Sequence, residues 1–184
     1  MEKRDYNIAL RTLQEALQIG EDIGAKRQIA SSLSSISRGF LKSGDYLSAI
    51  DYQTRSLTIF NEIGEKNAIA RCLSIFSLIY SDKGEYNRAM EYSRRALIIR
   101  EETGDQDGVA TSFDYVGYIY LKQNAIDSSR TYFEKSIAIK NEFGSSAKEL
   151  IFPTSYIYLI YKKLGKEYDE IEIHRLIKEI EHIG

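Results

Sequence analysis

Residues 64–104 read GEKNAIARCLSIFSLIYSDKGEYNRAMEYSRRALIIREETG, and this stretch decides the fold. After Gly64 the apolar residues Ile69, Leu73, Phe76 and Tyr80 recur every three or four positions, which is one face of an α-helix. Gly84 stops that helix, because glycine enters the left-handed cap conformation without a Cβ penalty. Tyr86, Ala89, Met90, Ser93, Ala96, Leu97 and Ile99 then draw a second helical stripe, closed by Gly104. A turn this short leaves the two helices antiparallel neighbours.

The same unit runs along the whole chain. Gly24, Gly64, Gly104 and Gly144 stand forty residues apart, with Gly44 and Gly84 half a period out of phase. Asn124 takes the next place in the second series, and Gly165 follows one residue late. Tyr6, Tyr46 and Tyr86 recur, as do Ala9, Ala49 and Ala89; so do Leu17, Leu57, Leu97 and Ile137, and Ile19, Ile59, Ile99 and Ile139. A fixed period of this size is one supersecondary unit copied in tandem, stacking into a solenoid. The expected organisation is one continuous array over residues 1–184. It has a half-repeat at 5–24, repeats at 25–64, 65–104 and 105–144, and an irregular last repeat with a terminal cap at 145–184.

Composition agrees. Of 184 residues, 43% are hydrophobic and 28% charged, a folding rather than a disordered mixture. The formal net charge is -2, and Lys/Arg are interspersed with Asp/Glu, so nucleic acid and anionic membrane are not expected partners. No apolar run approaches the roughly 18 residues of a membrane span. MEKRDYNIAL (1–10) has no apolar signal core, and the single cysteine, Cys72, forms no internal disulfide. A cytoplasmic location is expected, or a periplasmic one if a signal or anchor has been removed. With one proline and mostly periodic glycines, long regular helices are the reading. Ala49 and Ala89 sit five positions after the mid-repeat glycine, where a larger side chain would push the helices apart.

In-phase copies carry a resemblance. Leu33, Ile36, Ser37, Phe40, Gly44, Tyr46, Ala49 and Ser56 correspond to Leu73, Phe76, Ser77, Tyr80, Gly84, Tyr86, Ala89 and Ala96. The third copy is Phe113, Val116, Gly117, Tyr120, Asn124, Ile126, Ser129 and Ser136; the fourth is looser, with Ile157, Tyr158, Tyr161, Gly165 and Tyr168. This pattern resembles the tetratricopeptide repeat family, in its variant of about forty residues. The resemblance implies an all-α, right-handed superhelical solenoid of antiparallel helix pairs, about four and a half repeats and nine helices. Asn124 is a sensible departure, since asparagine is next best to glycine in a left-handed cap.

The ends depart from the pattern. The chain opens directly on a second helix, DYNIALRTLQEALQIGEDIG (5–24), without its first-helix partner. One reading is a natural half-repeat cap; the other is a piece of a longer repeat protein. Pro153 fits only a first turn or a kink, and SSAKELIF (145–152) is expected as a distorted extra turn. The last helix, about 167–183, has a charged outer face suited to a cap.

No catalytic constellation is present in the sequence. His174 and His182 are eight apart without ligating partners, so they read as surface residues. Cys72 lies among packing residues with no nearby base. The glycines are single and periodic, which is not a phosphate loop. The chain is expected to be no enzyme and to take no cofactor or metal.

The family resemblance implies a concave groove lined by first helices. Its exposed positions are Ser31, Ser34, Ser35, Arg38 and Leu41; then Arg71, Ser74, Ile75, Leu78 and Ser81; then Thr111, Asp114, Tyr115, Tyr118 and Leu121; then Phe152, Ser155, Tyr156, Leu159 and Lys162. Arg38, Arg71, Ile75, Leu78, Asp114, Tyr115, Tyr118, Tyr156, Leu159 and Lys162 are the candidate partner-binding residues. The floor runs from serine-rich at the amino-terminal end to tyrosine and leucine at the other, where exposed apolar surface marks a contact. The competing reading packs these tyrosines inside the helix layers. The carboxylate clamp of chaperone-binding members is absent, since Ser34, Arg38, Ser74, Leu78, Asp114, Tyr118, Ser155 and Leu159 hold its positions. The asparagine ladder of kinesin-light-chain-like members is also absent, with Ser35, Ile75, Tyr115 and Tyr156 in its place. An apolar or amphipathic segment is therefore the expected ligand.

Three functions follow. The first is a protein-interaction module. The second is a sensory region of a histidine kinase or helix-turn-helix regulator, which helix ends such as FNEIGEKN (60–67) resemble. The third is a self-associating scaffold, a homodimer through Ile8, Leu13 and Leu17.

Overall fold

In the computed structural model, each turn closes on a residue of positive φ at the place the period marks. φ is 81° at Gly44 and 84° at Gly84, and Asn124, at 60°, is the non-glycine residue that joins them among the described residues. The structure describes residues 15, 17–20, 22–144 and 147–163, and within the last stretch the side chains of 152–160. Seven full helices lie there: α1 Lys26–Ser43, α2 Tyr46–Glu62, α3 Lys66–Asp82, α4 Tyr86–Thr103, α5 Gln106–Lys122, α6 Ile126–Glu142 and α7 Ala147–Lys163. Residues 17–20 are also helical, ahead of the turn at Gly24. The expected last helix, with His174 and His182, lies outside the described residues, as do Ile8, Ala9, Leu13 and Ala16. No described helix is long and apolar enough to cross a membrane.

The turns have a common mechanism. After α1 the Gly44 N–H bonds to the Leu41 carbonyl at 3.0 Å and the Asp45 N–H to the Phe40 carbonyl at 3.0 Å. After α5, Asn124 N–H bonds to the Leu121 carbonyl at 3.0 Å and Ala125 N–H to the Tyr120 carbonyl at 2.9 Å. Both pairs use carbonyls that the helix end would otherwise leave unpaired. The next helix then starts at once. The Asp45 carboxylate accepts the Ser48 N–H at 3.1 Å and its hydroxyl at 2.7 Å, and these bonds hold its carboxyl below the usual range. Asp105 does the same for α5 through the Gly108 N–H at 2.9 Å. A Cβ at Gly108 would run into that carboxylate and into Arg100.

The chain divides into two compact units, Met1–Ile99 and Arg100–Gly184. In the first, α1 and α2 pack closely enough for side chains to bond backbone across the pair. Ser37 donates to the Ala49 carbonyl at 2.8 Å and Ser56 to the Ala30 carbonyl at 2.7 Å. Ala30, Phe60, Ala68 and Cys72 form a core against which Leu57, Ile59, Ile63 and Ile69 pack. Ser77 and Ser93 share a 2.7 Å hydrogen bond between α3 and α4, and Ala49, Ala89 and Ala96 are fully buried, as their period implies.

The second unit inverts one of these contacts. Ser129 on α6 donates to the Gly117 carbonyl on α5 at 2.8 Å. A Cβ at Gly117 would sit 3.1 Å from the Phe133 ring, so the small residue here admits an aromatic. Phe133, Ile157 and Ile160 form the core, lined by Tyr118, Leu121, Ile126, Ile137 and Tyr156. Residues 147–152 are regular helix rather than a distorted turn, and Pro153 is buried inside α7. Its missing N–H removes one intrahelical bond, and its ring is fully buried.

Candidate functional site

Helical spacing puts Phe152, Tyr156 and Leu159 on one face of α7. Tyr118 projects from α5 to meet them. Its ring lies edge-on to Tyr156 at 5.6 Å between centroids and tilted against Phe152 at 6.4 Å. Phe152 meets Tyr156 edge-on at 4.8 Å. Beneath them Phe133 of α6 lies parallel to Tyr156 at 5.4 Å. Edge-on and offset arrangements suit ring quadrupoles, and each pair adds about 0.5–1.5 kcal/mol to area burial. The rings pack on one another, yet the rim is open: Phe152 is 37% exposed and Leu159 53%. The Lys122 ammonium stands 5.3 Å over the Tyr118 ring.

Asp114, one turn before Tyr118, does not share this opening. Its carboxylate takes the Lys140 ammonium at 2.6 Å, and both side chains are buried. Burial pushes the Asp114 carboxyl up, while Lys140 and then Ser136 pull it down. Removal from water costs a carboxylate more than the pair returns, so the direction is upward.

The other candidate residues separate by unit. In the second, Tyr115 is half-buried, and Lys162 falls on α7 with its side chain outside the described residues. In the first, Arg38 and Arg71 are exposed and Leu78 half-buried. Ile75 and Ser74 are buried, because α3 is packed on nearly every side. Of the expected surface residues, then, Ser74, Ile75, Ser81 and Asp114 point inward, whereas Tyr118 and Tyr156 meet ring to ring. On α1, Ser31 and Ser35 are exposed, and the Ser34 hydroxyl reaches Gln53 Oε1 at 3.4 Å. Cys72 is buried, and burial pushes its thiol up. Ile23, by contrast, is 70% exposed, and Ile19 is 61% exposed.

Sequence reasoning passed over three features. Phe133 supports the rings, and its signal was its place in the period with Gln53 and Ser93. Lys140 occupies the place of Phe60 and Arg100. A further series, Tyr52, Tyr92 and Tyr132, stacks on Phe40, Tyr80 and Tyr120 at 5.4 Å in each case. Arg55, Arg95 and Lys135 lie over those tyrosines at 5.5, 5.6 and 4.9 Å.

Tetratricopeptide repeat models match residues 69–103 and 116–143, so the chain carries tetratricopeptide repeats. No curated protein matches it in sequence. Among solved structures it is similar to a Rap protein complexed with Competence and Sporulation Factor, at 14% identity and a TM-score of 0.78 over 98% of this chain and 48% of that one. It is also similar to aspartyl phosphate phosphatase F from Bacillus subtilis, at 17% identity and a TM-score of 0.74 over 93% and 43%. BtubC (BKLC) from P. vanneervenii matches at 17% identity and a TM-score of 0.68 over 96% and 71%. These likenesses are of fold. The chain spans about half the length of the Rap protein and less than half that of the phosphatase.

Proposed function

We propose that this chain, built of tetratricopeptide repeats, is a non-enzymatic protein-interaction module. It holds an apolar or amphipathic segment of a partner against Tyr118, Phe152, Tyr156 and Leu159. The observation that carries the reading is a floor of mutually packed rings with an exposed apolar rim. Rings fixed by one another lose little entropy on binding, and the area they offer is costly to leave in water. Half-buried Tyr115, in the same unit, is a further contact in this reading. Lys162 is another by its place in the repeat. Arg38, Arg71 and Leu78 are candidate contacts of the first unit, taken by itself. The test is a screen of short peptides against the folded chain and against Leu159→Asp, with helicity followed by circular dichroism. Loss of binding at unchanged helicity supports the reading; equal binding by both proteins sinks it.

A second reading makes the module a sensory or regulatory region in bacterial signalling. What supports it is the likeness to a Rap protein complexed with Competence and Sporulation Factor. One of the similar folds is named a phosphatase, which gives the non-enzymatic reading a direct check. Incubation with acetyl phosphate or an aspartyl-phosphorylated receiver domain should release no phosphate above the uncatalysed rate. Release that scales with protein concentration would overturn it.

A further inference from the structure

We propose that α1 and α3 form a second docking surface, within the first unit, for a polar, acidic segment of a partner protein held in extended form. This rests on the protein-interaction reading above but uses none of the aromatic face. The exposed side chains of α1 and α3 are serine, glutamine, asparagine, lysine or arginine; none is apolar and none is a carboxylate. The cations among them are Lys26, Arg27, Arg38, Lys42, Lys66 and Arg71. The one carboxylate on either helix, Asp82, is the last residue of α3 and half-buried. α2, by contrast, exposes Asp51 and Glu62 beside Arg55. α1 and α3 touch directly, so their cations share one layer. Glu62 and Glu65 compensate its edge by pairing with Lys26 and Arg27. Among the described residues, the guanidinium groups of Arg38 and Arg71 enter no ion pair.

The spacing of these two arginines sets the form of the ligand. Arg71 holds the repeat place of Ser31, which is two turns before Arg38 on the same helix face. The arginines therefore stand roughly 10 Å apart along the helices and about 8–10 Å across them. An extended chain covers that diagonal, roughly 14 Å, in about four residues. Exposed Ser31 and Ser35 lie on the same stripe, short enough for a backbone to pass over them. An apolar helix finds no anchor here, whereas carboxylates four residues apart meet both cations.

The whole chain, at a formal net charge of -2, would by itself repel an acidic peptide, so a preference for one must come from this layer. The probe is a fluorescein-labelled peptide of Ser, Gly and Thr with two Glu four residues apart, and a twin with Gln in their place. Anisotropy titrations against the full chain are expected to favour the Glu peptide by about tenfold at low salt, with the gap closing as salt screens it. Arg38→Gln with Arg71→Gln should erase the preference at unchanged helicity, and Leu159→Asp should leave it intact. Equal binding of the twins, binding of neither, or a preference that survives the double arginine change overturns the proposal. Each of these leaves the aromatic face standing, because that face is tested by its own peptides. Loss of the Glu peptide in Leu159→Asp merges the two surfaces and also overturns the proposal. So does a single-stranded oligonucleotide of the same charge that binds as tightly, since the layer would then read charge and not a polypeptide.

Discussion

Lys140 Nζ lies 2.6 Å from Asp114 Oδ2, and each side chain is only 5% exposed. The pair joins α6 to α5 inside the second unit, where the equivalent positions one repeat earlier hold Arg100 and Ser74. Breaking such a pair strands a charge. Lys140→Met should cost about 3–5 kcal/mol, whereas Asp114→Leu with Lys140→Met should be neutral or more stable by about 1–4 kcal/mol. Urea unfolding of the single and double variants decides it; a double variant as weak as the single one contradicts the account.

The pH dependence has a definite sign. Burial raises the Asp114 carboxyl, so the folded chain binds that proton more tightly than the unfolded chain. The associated stability is fully present below the ordinary aspartate range and is lost as pH rises through the raised value. Relative to Asp114→Asn, the native chain should lose unfolding free energy as pH rises above the ordinary aspartate range. A flat or rising difference would refute this.

Asn124 occupies left-handed backbone at φ 60°. Asn124→Gly should leave the melting temperature unchanged or raise it. Asn124→Val should lower stability by about 1–2 kcal/mol, because a branched side chain meets the carbonyl in that conformation. Thermal melts followed by circular dichroism distinguish the two.

Gly117 faces Phe133, whose ring would lie 3.1 Å from an added Cβ, tighter than ordinary contact. Gly117→Val should cost about 1–3 kcal/mol by overpacking, as should Ala89→Leu, whose site is fully buried. Stability unchanged in either variant would mean that the helix pairs can spread.

Surface and scaffold roles in the aromatic face should come apart. Leu159→Asp, at a 53% exposed site, should shift stability by no more than about 0.5 kcal/mol yet abolish peptide binding. Phe133→Ala, at a fully buried one, should cost about 3–5 kcal/mol and weaken binding by loosening Tyr156. Binding and denaturation measured on both proteins test the distinction.

Much of the fold was legible because its signals are local. A left-handed cap needs glycine or asparagine whatever surrounds it, so Gly44, Gly84 and Asn124 marked helix ends directly. Ala49 and Ala89 stood out because close helix approach demands a small residue in every copy. The repeat assigned Tyr118, Tyr156 and Leu159 a helix face, but it did not say that Tyr118 and Tyr156 would be partly buried against the Phe133 core. The burial of Ile75 and Asp114 was not legible either, because the repeat assigns a direction and not a degree of cover. The stacked series of Tyr52, Tyr92 and Tyr132 had a visible period, but a period does not say which ring lies over which.

The sequence alone determined the helix pair, its forty-residue repetition and the sites of its turns, since these depend on backbone conformation and spacing along the chain. Tertiary structure decided which polar groups are withdrawn and which apolar ones stay in water. Lys140 and Asp114 are 26 residues apart, and Tyr118 and Tyr156 are 38 apart, so no local rule joins them. Only packing of α5, α6 and α7 brings an ammonium to a carboxylate that would otherwise be buried alone, and stacks rings beneath a rim that remains exposed.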